Sequence, residues 1–286
     1  MRVSLRDMVV CRRPGSHLQA RARIGLAGAT LLATWLMGPP RPVRGDDRPA
    51  ASIAVERREE WRRSRLRIYM DDFGEVGHFK RANAALKPPA PNEWRVVFLG
   101  DSITSGWPLE SFFGGKPYVN RGIGGQTTPQ MLVRFRQDVI ALAPKAVVIL
   151  AGTNDIGGNT GPMSLEDIEA NVSTMTELAR AHGIRVVLAS VLPVHDYTPQ
   201  SVLTFPLRPP ETIKALNTWL ARHAADGGFV YLDYWSAMVD DKGRLRRELA
   251  QDGLHPNRDG YAIMAKLAEA AIERARGGAN PPQQTP

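Results

Sequence analysis

The chain has 286 residues and a formal net charge of +8, a length that fits one large domain or two small ones. Nearly all of that charge sits in residues 1–45, which hold eight arginines against one aspartate; the rest carries 29 basic against 28 acidic residues. Without a later Lys/Arg stripe interleaved with aromatics, nucleic acid is excluded as a partner.

The leader reads as an export signal. An Arg-rich start precedes an apolar run of 14 residues, Ile24 to Met37, followed by Gly38-Pro39-Pro40. That run is short for a spanning helix and suits a signal-peptide core. Val43-Arg44-Gly45 offers a cleavage site after Gly45, which places the mature protein outside the cytoplasm, periplasmic or extracellular, with no stable membrane insertion. Open alternatives are a start at Met8, a twin-Arg route through Arg12-Arg13 and an uncleaved membrane anchor. The sole cysteine, Cys11, precedes the apolar run, so a mature chain has neither disulfides nor thiolate chemistry.

Residues 46–52 read as a linker and 54–86 as charged helical segments with an apolar side (Trp61, Leu66, Ile68, Tyr69, Met70), so 46–93 form an N-terminal extension. Lys87-Pro88-Pro89-Ala90-Pro91 breaks any helix. From residue 94 strands and helices alternate. Strands are expected at 95–99, 118–120, 146–150, 184–191 and 229–232, and helices at 128–142, 164–182, 210–225 and 257–276. Residues 278–286 are a Pro/Gln tail. The alternation predicts a three-layer α/β/α sandwich around a five-stranded parallel sheet, in the flavodoxin-like order 2-1-3-4-5.

Chemistry-bearing residues follow the strands. Ser102 lies just past the first strand, Gly122–Gly125 after the second, Asn154 after the third, and Asp252-Gly253-Leu254-His255 beyond the fifth. In a 2-1-3 order, Gly125 and Asn154 flank Ser102, and the Asp/His loop can close over it. A serine hydroxyl needs a base within hydrogen-bond reach, which His255 supplies; Asp252 fixes its tautomer. Attack on a carbonyl creates an oxyanion, for which the backbone N–H groups of Ser102 and Gly125 and the Asn154 amide are suitable donors. There is no G-x-S-x-G elbow, no complete dinucleotide or P-loop fingerprint, and no H-E-x-x-H pair, so neither cofactor nor metal is expected. Trp107, Tyr197 and Phe205 are candidate walls of a substrate pocket, and His195-Asp196 is a loop pair with a weaker claim on substrate.

These motifs resemble the SGNH, or GDSL-type, serine hydrolases. Gly100-Asp101-Ser102-Ile103 matches the nucleophile block, Gly122–Gly125 with Gln126-Thr127-Thr128 the glycine block, Gly152-Thr153-Asn154-Asp155 the asparagine block, and Asp252-Gly253-Leu254-His255-Pro256-Asn257 the Asp-x-x-His block. The likeness spans 94–276. It implies Ser102 as nucleophile, His255 as base, Asp252 as its partner, and Ser102, Gly125 and Asn154 as the oxyanion hole. Departures are Ile103 for leucine and Gln126 where many relatives carry Asp. The implied activity is that of an exported esterase or acylhydrolase acting on small-molecule or glycan esters. A carbohydrate O-deacetylase and a non-catalytic glycan- or lipid-binding protein are the alternatives.

Overall fold

The computed structural model describes residues 49–278. The leader and its cleavage site, and the tail beyond 278, lie outside them. Helices α1 (Ala50–Asp71) and α2 (Lys80–Ala85) come first. There follow β1 (Val96–Gly100), short α3 (Ser102–Ser105) and α4 (Leu109–Phe113), β2 (Tyr118–Gly122) and α5 (Thr128–Asp138). Next are β3 (Ala146–Leu150), α6 (Thr153–Ile156), α7 (Leu165–Ala181) and β4 (Arg185–Ala189). The chain closes with α8 (Pro210–Gly227), β5 (Val230–Leu232), α9 (Trp235–Met238) and α10 (Arg258–Gly277). The helix α1 begins at Ala50, inside the stretch expected as linker.

The strands form one parallel sheet in the order β2-β1-β3-β4-β5, as the sequence pattern predicts. Every residue of β1 and β3 is buried, because helices cover both faces of a parallel sheet. Val96, Phe98 and Val148 join α4, α9 and α10 in one apolar layer; Val97, Leu99 and Ile149 join α5, α7 and α8 in the other. Each fully buried side chain of this size contributes roughly 1.5–3 kcal/mol.

Register sets the site. Gly100 pairs with Gly122 of β2 and with Leu150 of β3, so all three strands end level. The segments that follow emerge side by side at one edge. Short α3 and α6, which periodicity does not reveal, start there. Each is a single turn, too brief to show an apolar stripe.

A buried guanidinium ties this edge together. Arg134 of α5 is fully buried; its Nη2 donates to Gly100 O at 3.1 Å, its Nε to Gln126 Oε1 at 2.6 Å and its Nη1 to Asp138 Oδ2 at 3.0 Å. Gln126 Nε2 donates in turn to Gly74 O, and Asn83 Nδ2 donates to Asp138 Oδ1, which joins the N-terminal extension to the knot. Replacing Arg134 by Met leaves Asp138 without its buried counter-charge. The expected cost is about 3–5 kcal/mol, read as a lower urea midpoint at unchanged m-value.

Candidate active site

Ser102 opens α3, and neighbours hold that turn from several sides. Asp101 caps it, accepting the Ile103 N–H at 2.9 Å. Asn120 Nδ2 donates to Thr104 O and Trp107 O, while Tyr261 Oη donates to Ile103 O at 2.8 Å. The serine is therefore presented on a fixed backbone.

His255 meets it from the far end of the chain. Ser102 Oγ and His255 Nε2 are 2.8 Å apart, and His255 Nδ1 and Asp252 Oδ2 are 2.7 Å apart. An ionised carboxylate only accepts, so the Nδ1 proton donates to Asp252 and Nε2 is free to accept the serine proton. The Asp252 carboxylate also takes the backbone N–H groups of His255 at 2.8 Å and Leu254 at 3.1 Å. Burial pushes its pKa upward, but the hydrogen bonds from the His255 ring and backbone outweigh that and hold it well below the usual carboxylate range.

Gly124, Gly125 and Asn154 lie across the same cleft from His255. Gly125 has φ +78°, and a Cβ there would stand 2.7 Å from the Trp61 ring, so only glycine fits. Asn159 Nδ2 holds Gly125 O at 2.9 Å. Asn154 Nδ2 donates to Gln126 O at 3.1 Å, and its Oδ1 accepts from Arg208 Nη2 at 3.1 Å. Gln126, the departure noted in the sequence, has its side chain fully engaged in the Arg134 knot.

The cleft has a volume of about 620 Å³ and brings together Ser102, His255, Gly125 and Asn154. Arg57, Arg58, Trp61 and Arg65 of α1 form one wall, with Thr204, Leu207 and Arg208 also lining it. Arg65 is anchored to Glu75 at 2.7 Å, and Arg58 reaches Gly157 O at 3.4 Å, which fastens the helix to the domain. Trp61, Asn159 and Arg208 were not anticipated as site residues. No motif marks them; each reaches the cleft through tertiary packing.

The three expected pocket walls lie elsewhere. Trp107 is 2% exposed and packs in an aromatic cluster with Phe98, Phe113 and Tyr261. Sequence proximity to Ser102 misplaces it because α3 turns the chain back into the core. Tyr197 donates to Asp240 and lines a separate surface groove. Phe205 packs on the α5–α7–α8 layer beneath the Arg244 guanidinium. His195 is fully buried against the Asp252–His255 turn, where its backbone N–H donates to Gly253 O at 2.9 Å. Among the described residues no group of three or more His, Cys, Asp and Glu side chains could hold a metal ion.

Two other carboxylates at the strand edge behave oppositely to Asp252. Burial pushes Asp101 up to about 6, and the cap to Ile103 only partly opposes it. Burial likewise pushes Asp155 up to about 6, against hydrogen bonds from Thr128. A carboxyl whose folded pKa lies above its unfolded value binds more protons when folded, so stability falls as pH rises from about 4 to about 6. Asp101→Asn keeps the cap acceptor and removes one of the two titrations. Its stability is expected to change less with pH across that window than that of the parent, as read by urea melts at stepped pH.

The sequence profile of the GDSL-like Lipase/Acylhydrolase family matches residues 98–263. A crystal structure of a GDSL-like lipase from Bacteroides thetaiotaomicron is 39% identical, with a TM-score of 0.66, covering 71% of this chain and 100% of its own. A candidate acylhydrolase from Bacteroides fragilis is 40% identical, with a TM-score of 0.65, covering 71% and 98%. The uncharacterized lipoprotein YqeF of Bacillus subtilis is 32% identical over 118 residues, 35% of this chain; the match spans about half (49%) of that relative's length. With the strand order, the four motifs and the profile in agreement, the chain belongs to the GDSL-like lipase/acylhydrolase family, a family of hydrolases acting on esters.

Proposed function

We propose that the chain is a serine esterase that cleaves carboxylic esters through an acyl-enzyme on Ser102. The observation that carries this reading is the unbroken relay from Ser102 Oγ to His255 Nε2 at 2.8 Å and from His255 Nδ1 to Asp252 at 2.7 Å. His255 takes the serine proton as Oγ bonds to the carbonyl carbon. The imidazolium formed is stabilised by Asp252, whose low pKa keeps it ionised. The N–H groups of Ser102 and Gly125 and the Asn154 amide receive the oxyanion. His255 then returns the proton to the leaving alcohol, and water repeats the sequence on the acyl group. A non-catalytic binding protein has no need of so complete a relay.

A second reading, removal of acetyl groups from glycans, is favoured by Trp61. Its ring fills the space over Gly125, beside the proposed oxyanion hole, and leaves little room there for a long acyl chain. The cleft that Trp61 and Gly125 line has a volume of about 620 Å³, enough for a sugar.

One panel tests both. Activated esters of increasing acyl length and acetylated sugars are assayed with the parent, Ser102→Ala and Trp61→Ala. Ser102→Ala is expected to remain folded, lose hydrolysis and lose labelling by a fluorophosphonate; retained turnover refutes the acyl-enzyme. Trp61→Ala is expected to raise kcat/KM for butanoate and hexanoate relative to acetate, and an unchanged ratio removes the argument for acetyl preference.

We further propose that the protein is exported, on the strength of the Arg-rich leader and apolar run. No described helix is long and apolar enough to cross a membrane. Mass spectrometry of the cell-produced protein is expected to find an N-terminus at Asp46; an N-terminus at residue 1 overturns cleavage.

A further inference from the structure

Arg208 stands just before Pro209-Pro210 at the start of α8, and its side chain runs back to the turn that carries Asn154. It is 5% exposed. Its Nε donates to Thr153 O at 3.0 Å and Thr153 Oγ1 at 3.2 Å, its Nη2 to Asn154 Oδ1 at 3.1 Å, and its Nη1 reaches Thr204 O at 3.5 Å. All of these acceptors are uncharged. A Cβ on Gly157 would lie 2.6 Å from Nη2, so the turn has been cleared for the guanidinium. Burial lowers its pKa to about 10, with Asp101 and Asp252 opposing the shift from a distance, so it stays protonated at neutral pH.

A cation buried without a direct carboxylate partner is costly to a fold. Its position suggests the compensation. The Asn154 carboxamide has two orientations that differ by exchange of oxygen and nitrogen. In the observed one, Oδ1 faces a donor, Arg208, and Nδ2 faces an acceptor, Gln126 O. A flipped amide would set donor against donor at Arg208 and acceptor against acceptor at Gln126. Guanidinium has no acceptor to offer, so Arg208 forbids the flip.

We propose that Arg208 is a positioning residue of the oxyanion hole, locking the Asn154 amide with one Nδ2 hydrogen free for the substrate oxygen and placing a positive charge behind it. This role rests on the acyl-transfer reading above. In that step Ser102 Oγ bonds to the carbonyl carbon, the hydroxyl proton moves to His255 Nε2, and the carbonyl π pair becomes the oxyanion's charge. Arg208 keeps all its protons. Its Oδ1 contact polarises the amide, so the free Nδ2–H becomes a better donor as that charge forms. Binding of the neutral ester changes little, because the carbonyl oxygen carries full charge only in the transition state.

The test is a double-mutant cycle on an activated acetate ester, with Arg208→Met, Asn154→Ala and the pair, and with Arg208→Lys and Arg208→Gln beside them. Active sites are counted by end-point fluorophosphonate labelling and folding is checked by thermal melts. Arg208→Met is expected to lower kcat on the order of 10- to 100-fold, less than or equal to the loss of an oxyanion donor, with KM within about threefold. Arg208→Lys keeps the charge and is expected to recover part of the loss, while Arg208→Gln is not. In the Asn154→Ala background the Arg208→Met loss is expected to shrink to about threefold or less, since residues that act as a unit are not additive. Equal fold-losses in both backgrounds, or a loss confined to KM, overturn the role. Should Arg208→Met fail to fold, the Lys and Gln variants carry the same cycle. A parent protein that takes no fluorophosphonate label overturns the acyl-transfer reading and this role with it; labelling with additive losses overturns this role alone.

Discussion

The site depends on three strand ends being held level, and one buried arginine does much of that work. Arg134 reaches the last carbonyl of β1, the loop after β2 and the end of its own helix. Ser102 begins two residues beyond the first of these contacts, and Gly125 precedes Gln126 in the second. A hydroxyl and a set of N–H donors must be placed to within a fraction of an ångström to act on one carbonyl. A rigid guanidinium fork that holds one backbone carbonyl, one carboxamide and one carboxylate at fixed angles supplies directional restraint that non-directional apolar packing does not.

Charge at this edge is sorted by depth. Asp252 is about one-third exposed and hydrogen-bonded by three N–H groups, which keep it ionised beside the His255 ring. Asp101 and Asp155 are almost wholly buried and are pushed toward neutrality, where they serve as caps and turn anchors. The same residue type thus has two roles within one small region, chosen by solvent and by the number of donors facing it.

The sheet was legible because a parallel sheet covered on both faces writes unbroken apolar runs such as Val96–Leu99 and Ala146–Leu150. The four polar segments were legible because each sits immediately after such a run or on one tight turn. What escaped was whatever depends on residues far apart in sequence meeting in space. Arg208 looks like a surface arginine ahead of two prolines. Trp61 looks like one apolar residue of a charged helix. Trp107 misleads in the other direction, since five residues of separation from Ser102 suggest a shared pocket and a single helical turn sends it inward. Local spacing specifies which atoms do chemistry; packing between distant segments specifies their surroundings.

The helix that walls the cleft has a bearing on where the working unit begins. All four motifs lie after the proline break at 88–91, yet α1, which lies before it, contributes Trp61 and three arginines to the cleft that holds Ser102 and His255. A fragment trimmed to the motifs would lose that wall together with the Gly74 and Asn83 ties to the Arg134 knot. The groups of the proposed esterase and one wall of their cleft thus come from separate stretches of polypeptide, so substitutions in the first helix can reshape that wall without replacing Ser102, His255 or Asp252.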